Sequence, residues 1–586
     1  MPSIDAGNKL KNQTGEGKFL KSISEDSKAQ IRCLMSHKNP SYSRAALGML
    51  LAASEINEKN MTAIAAYASR GNAFHHVALL TSLSAHRDKC VSHFLKLKDH
   101  GKTLAAATLA ASAIQPFIIK NINERVSANS SELNEKKGKK SSKGKRKKKN
   151  RLADNNVNIS PISKELVGKL LQEKSTRVQR YAILIAAYSK MDSLKNSIMS
   201  LPSQKKSKDI MGASLLYLAM IGEKPEKEWI EAVFKSCSKI SKAISRECAQ
   251  LSEVDLLVPP LASACEALGY VEGDYLHLLE SALKSKDIRV QMDATRAIAR
   301  RYGQKGSEVL VPFISKASWP LLVEICNALN VNPIKSAVEP LIARYEGEYG
   351  LMRLHLSHAL NITAHKNISF KANDAEKWWQ DNQSDFQVDL AASKEYQGAN
   401  PFTSLEVDPV ITTFYMLNVF SDSFLYVVDT SASMKGNRIA SLRENLVYSL
   451  KEMKRGGRYN IVDFGGDIVR MYKGLTSDIQ KGIYRANSMP LSAPTRSFDT
   501  LEQAIKTEGV DSLIFLSDGA PTGYQLKSWT DIQSAIALIN RYRPIQIQMI
   551  EFGAGKSARM HMDTISGQHY GMCESVFIEA EPDAGL

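Results

Sequence analysis

Between about residues 421 and 580 the sequence alternates between two textures, and this restricts the fold more than any other feature. Runs rich in β-branched and aromatic residues read as strands: "FLYVVD", "YNIVDF", "DIVRMY", "SLIFLSD", "IQIQMIEFG" and "SVFIEA". Between them "RIASLRENLVYSLKEMKR", "TSDIQKGIYRANSM", "SFDTLEQAIKT" and "TDIQSAIALINRYR" read as amphipathic helices. Strand–helix alternation implies parallel strands joined by crossovers, so the expectation is an α/β doubly wound, Rossmann-like domain over 421–580. In that architecture ligands bind at the carboxyl ends of the strands. The glycines of "FGGD" at 464–467 read as a strand-to-strand turn, because no Lys-Ser/Thr follows them to form a phosphate loop.

The rest of the chain reads as helical. Residues 1–125 contain Ala- and Leu-rich segments such as "SRAALGMLLAASEI" and "TLAAATLAASAIQ", divided by polar turns. Residues 159–385 add a period. The pairs Ala267-Leu268, Ala297-Ile298, Ala328-Leu329 and Ala359-Leu360 recur at intervals of 30, 31 and 31 residues. A fixed period near 30 is expected of an α-solenoid, in which each helix pair buries its apolar face only against its neighbours. The unit "SKDIRVQMDATRAIARRYG" resembles a HEAT repeat, and "NDAEKWWQDNQ", with Trp378 and Trp379, resembles the Trp-containing close of bacterial HEAT-repeat arrays. Residues 386–420 read as a connector.

Net charge is +16 over 586 residues, but eleven Lys or Arg and no acid lie in "KKGKKSSKGKRKKKNR", 136–151, so the remainder carries 16 − 11 = +5. Such text is too polar to bury a core, and 126–158 reads as a disordered linker. Seven scattered cysteines, none in a CxxC pair, fit reduced buried thiols in a cytoplasmic protein rather than a disulfide framework. No uninterrupted apolar run of 18 residues and no apolar leader is readable, so neither a membrane span nor a secretory signal is expected.

The strand "FLYVVD" ends in Asp429, and Ser431 and Ser433 follow as Asp-x-Ser-x-Ser. "SLIFLSD" ends in Asp518, and "SAPTRSFDTLEQAI" supplies Thr495, six residues before Leu501. Two carboxylates and three hydroxyls form an all-oxygen set suited to Mg²⁺ or Mn²⁺. The arrangement resembles the von Willebrand factor A (VWFA) domain and its metal-ion-dependent adhesion site, over about 415–580. The resemblance implies Ser431 and Ser433 as direct ligands, Thr495 as a ligand in the partner-bound state, and Asp429 and Asp518 as ligands directly or through water. It also implies that a carboxylate from a protein partner completes the coordination. Two positions depart from the family: Ala432 stands where Gly is usual, and "SAPTRS" replaces Gly-Gly-Thr, leaving Ser497 as a rival to Thr495.

His561 and His569 in "RMHMDTISGQHYG" carry no metal or catalytic spacing, and no Ser-His-Asp, HExxH or Cys-His pattern suggests catalysis, so no enzyme activity is expected. The leading expectation is a scaffold whose metal site captures an acidic side chain of a protein partner and whose solenoid offers a second surface. As a whole the chain resembles bacterial multidomain proteins with a HEAT array ahead of an A domain. The alternative is nucleic-acid binding, since helical repeats before an A domain are also the order in the Ro RNA-binding autoantigen family. Lys136–Arg151 would then hold phosphates non-specifically and in a salt-sensitive way.

Overall fold

The computed structural model describes residues 58–68, 80, 83, 87–97, 99–128, 162–201, 208–247, 259–348, 350–368, 372–396, 410–465, 474–491, 497–519, 521, 526, 528–553 and 555–577. The helical part comprises α1 (Glu58–Ala68), α2 (Arg87–Phe94), α3 (Asp99–Ala128), α4 (Lys164–Leu171), α5 (Thr176–Tyr188), α6 (Lys195–Met199), α7 (Lys208–Met220) and α8 (Lys227–Glu247). It continues through α9 (Pro260–Leu268), α10 (Leu276–Leu283), α11 (Ile288–Arg301), α12 (Gly303–Leu310), α13 (Trp319–Val331), α14 (Val338–Glu346), α15 (Gly350–Ala364), α16 (Ala372–Asn382) and α17 (Leu390–Tyr396).

Alternate helices stack in a row. α3 packs on α5, α5 on α7, α7 on α9, α9 on α11, α11 on α13 and α13 on α15. The four periodic pairs fall on α9, α11, α13 and α15, and all eight residues are buried. The small alanine side chain lets neighbouring backbones approach while the Leu or Ile beside it fills the gap. Local chemistry also recurs along the row. Gln179 and Gln291 each donate to the carbonyl eight residues earlier, Leu171 at 3.3 Å and Leu283 at 3.0 Å. Asp287 caps α11 by accepting from the Arg289 N–H at 3.0 Å and pairs with the same residue's guanidinium at 2.9 Å.

The expected linker 126–158 lies almost wholly outside the described residues; α3 extends three residues into it, to Ala128. Against the absence of an apolar span in the sequence, Gly101–Glu124 within α3 is long and apolar enough to cross a membrane. Most of that stretch is buried against α5 and the α/β domain, so packing accounts for its apolarity. Cys90, Cys237, Cys265 and Cys326 are buried free thiols, and Cys573 is half-buried.

The α/β domain starts with a hairpin, β1 (Thr412–Phe414) and β2 (Leu417–Val419), inside what the sequence presents as a connector. β3 (Ser423–Asp429), β4 (Arg458–Phe464), β5 (Ser512–Ser517), β6 (Gln546–Glu551) and β7 (Cys573–Ser575) then form one parallel sheet in the order β4-β3-β5-β6-β7. β7 ends at Ser575, short of the expected "SVFIEA", and "DIVRMY" lies outside the described residues. Side chains alternate across the sheet: Phe424, Tyr426 and Val428 pack with α18 (Asn437–Lys451), α19 (Ile479–Asn487) and the hairpin. Leu425 and Val427 pack on the other face, with α20 (Ser497–Lys506), α21 (Trp529–Ile539) and α22 (Lys556–Gln568). Helices therefore cover both faces, as the unbroken apolar strands require. Sequence reading did not anticipate α22.

One apolar cluster runs from the helical row into this second face without a break. At its boundary lies a polar network. Arg541 donates to Glu266 at 3.1 Å and approaches Asp293 at 3.5 Å. Tyr542 donates to Asp293 at 2.7 Å, and Arg296 reaches Asp293 at 2.9 Å, Glu324 at 2.7 Å and the Arg541 carbonyl at 2.7 Å. Tyr188 adds a 3.0 Å bond to Glu266. Close approach continues at Gly350, whose φ of +60° disfavours other residues and where a Cβ would lie 2.9 Å from the Asp422 nitrogen. The α/β residues in these contacts lie at the amino-terminal edge of the sheet. Removing one partner from a buried ion network leaves uncompensated charge. Arg541→Ala is therefore expected to cost about 3–5 kcal/mol, read by urea denaturation, with little relief from added salt because the network is buried.

A second buried charge sits at the same edge. Asp511 accepts a hydrogen bond from the Ser421 hydroxyl, yet burial, reinforced by the nearby Asp422 charge, pushes its carboxyl up to about 7. The folded chain thus holds this proton more tightly than the unfolded chain, whose carboxyl titrates near 4. The stabilisation is full below about pH 4 and is lost as pH rises through 7, on the order of 4 kcal/mol across the window. Asp511→Asn should remove that component, so the stability difference between wild type and variant, followed by urea denaturation from pH 4 to 8, should shift in the variant's favour as pH rises.

Candidate functional site

The site follows from strand order. The chain leaves β3 for β4 on one side, and β5 then takes the other side of β3. At such a reversal the connecting loops diverge and open a crevice at the carboxyl ends of the two adjacent strands. β3 ends there in Asp429 and β5 in Ser517, with Asp518 immediately after it.

Four of the five expected side chains meet in this crevice. Asp429 is fully buried; its Oδ1 accepts the Ser431 backbone N–H at 2.8 Å and its Oδ2 accepts the Ser517 hydroxyl at 2.7 Å. The Ser431 and Ser433 hydroxyls stand 2.9 Å apart, and Ser433 donates to Asp518 Oδ1 at 2.9 Å. The four residues thus lie along one hydrogen-bonded chain, joined to Asp429 through the Ser431 backbone N–H. Thr495 lies outside the described residues. Ser497, its rival, opens α20 and is buried, with no hydrogen-bond partner on its hydroxyl. Ala432 begins a single 3-10 turn that brings Ser433 back toward the strand end.

Two participants were not anticipated. Ser517 bridges the ends of β5 and β3; its place one residue before the strand-end Asp518 was the only clue. Arg438, the second residue of α18, donates from Nη1 to Asp518 Oδ2 at 2.7 Å. Nothing in its local sequence separates it from an ordinary helix-surface arginine.

Electrostatically the crevice lacks positive charge at its deep end. Burial pushes the Asp429 carboxyl up to about 6; hydrogen bonding from Ser431 works against this, and the Asp518 charge adds to it. The donors are neutral hydroxyls and carboxylates without nitrogen or sulfur, a chemistry that fits a hard divalent cation. Among the described residues no cluster of three or more His, Cys, Asp or Glu offers an alternative metal site. His561 and His569 do not converge: His569 is buried, with Nδ1 3.0 Å from the Asn540 amide, and His561 lies half-buried on α22.

A parallel sheet covered on both faces, with Asp-x-Ser-x-Ser leaving its central strand, gives the α/β unit an architecture similar to that of a VWFA domain. No protein-family model matches the chain. It is 24% identical over 122 residues to inter alpha-trypsin inhibitor, heavy chain 4, of Mus musculus, a match covering 18% of this chain and 13% of that protein. The chain thus spans about an eighth of the curated relative's length. Among solved structures it is similar to the SpRpn10 VWA domain, at 10% identity and a TM-score of 0.24, covering 27% of this chain and 89% of that one. It is also similar to an engineered protein, at 16% identity and a TM-score of 0.28, covering 67% of this chain and all of that one.

The crevice tolerates little added volume. A Cβ on Gly465, just past β4, would fall 2.4 Å from the Thr430 carbonyl oxygen, a backbone atom with no room to yield. Gly465→Ala is expected to destabilise the protein by about 2 kcal/mol or more through this clash. Thermal melting checks it, and the same substitution at Gly168, where nothing lies within 4 Å, controls for the loss of a glycine.

Proposed function

We propose that this chain is a non-enzymatic scaffold that binds a protein partner through a divalent cation held at the strand ends of its VWFA-like domain. Asp429, Ser431, Ser433 and Asp518 would hold Mg²⁺ or Mn²⁺, with Thr495 joining them when a partner is engaged. The cation would supply an electrophilic open position for an acidic side chain of the partner. The chain's own residues prepare that position. Ser517 and the Ser431 N–H fix the orientation of the Asp429 carboxylate. Few formal charges among the donors leave a bound cation attractive to an outside anion.

The observation that carries this reading is the meeting of four oxygen-bearing residues at the carboxyl ends of β3 and β5, while the helical row engages the amino-terminal edge of the sheet. The helical row thus docks at the edge opposite these four residues. The stacked helices, read as a HEAT-like solenoid, would give that partner or another a second surface.

Titration calorimetry with MnCl₂ tests the metal. Asp429→Ala should lose affinity by more than about 100-fold, beyond the usual loss from an outer-sphere change; equal affinity in both proteins refutes the site. Capture of partner by immobilised protein, in Mg²⁺ and in EDTA, tests the function. Thr495→Ala should weaken capture more than it weakens metal binding, and Asp429→Ala should abolish both. Capture undiminished by EDTA would assign binding to the helical row.

A further inference from the structure

We infer that Arg438 is an internal cation that competes with the divalent ion for Asp518, so that metal loading requires its displacement; this rests on the metal-binding reading above. Asp518 is nearly fully buried, and both its oxygens are in use. Oδ1 accepts from Ser433 at 2.9 Å and Oδ2 from the Arg438 guanidinium at 2.7 Å. The same Arg438 Nη1 lies 3.4 Å from the Ser433 carbonyl oxygen, so one nitrogen is shared between the carboxylate and the Ser433 backbone.

Its position suits a removable group. About a third of the Arg438 side chain is exposed, so it can withdraw into water without leaving a cavity. It has backbone room at the rim, where Gly553 presents no side chain 3.3 Å from Nη2. Asp429, by contrast, receives only hydrogen bonds from neutral groups, Ser431 and Ser517. Arg438 thus neutralises one of the two carboxylates and leaves the deeper one uncompensated.

A divalent ion held by Ser433 and Asp518 needs the lone pairs these contacts occupy. Ser433 must turn its proton away from Asp518, and Arg438 must release Oδ2 or stand beside a like charge a few ångströms away. Both requirements weaken metal binding. When Arg438 is displaced, its charge moves to the mouth of the crevice.

The test uses the full chain with MnCl₂ as probe, by calorimetry and by thermal melting. Arg438→Gln should bind Mn²⁺ about ten-fold or more tightly than wild type, because a repelling charge at close range is removed. In EDTA it should melt a few degrees lower than wild type, since Asp518 loses its counter-ion, and with saturating Mn²⁺ that deficit should vanish. Arg438→Lys, which keeps the charge on a shorter side chain, should fall between the two. A purely structural arginine would lower melting equally with and without Mn²⁺. Equal measurable affinities in wild type and Arg438→Gln, or an unchanged melt in EDTA, overturn the competition while leaving the metal site standing. Absence of Mn²⁺ binding in both proteins overturns the metal reading and the competition with it.

Discussion

Arg541 sits between Glu266 and Asp293, and the relation between the two halves of the molecule depends on it. Its guanidinium comes from the turn between α21 and β6, and the carboxylates come from α9 and α11. Arg296 holds Asp293 from the other side and also accepts the orientation imposed by the Arg541 carbonyl. Charges so far from water are tolerated only when every one has a partner in good geometry. The network therefore adds to the packed apolar surface around it in fixing how the two halves dock.

That docking has a consequence at a distance. The helical row engages the sheet where β6 begins, through Arg541, Tyr542, Gln568 and Tyr570. Parallel strands all point the same way, so fixing their amino ends turns every carboxyl end outward together. Asp429 and Asp518 thereby lie together at the edge away from the helical row. The two carboxylates are treated differently there. Asp429 is buried among hydroxyls and holds its proton more tightly than usual, whereas Asp518 is met by Arg438.

Much of this was legible along the chain. The β3, β4, β5 and β6 runs and the helices between them stand close to where alternation put them, because strands buried on both faces leave unmistakable apolar text. The Ala–Leu pairs fall on successive packed helices because alanine is selected where backbones come close. Asp429, Ser431, Ser433 and Asp518 meet because strand ends in a parallel sheet are forced into proximity once the strand order is known. Other features left weaker traces. The β1–β2 hairpin has only three residues per strand, too few for a clear alternation. α22 carries Met, His, Ser and Gly in a pattern without a strong apolar stripe. The membrane-length apolarity of α3 shows up only when Lys102 and the hydroxyl residues are averaged over a helix.

Sequence by itself determined the local elements and the chemical character of the strand ends, since period, β-branching and the Asp-x-Ser-x-Ser spacing act over a few residues. Tertiary structure alone decided which distant side chains became partners. Arg541 and Glu266 are 275 residues apart, and Arg438 and Asp518 are 80 apart. Neither pair has a spacing that a helix or strand would impose. Each is set by chain crossings that bury a carboxylate, and burial then makes the nearest cation decisive, because an unpaired charge out of water costs more than almost any other local arrangement.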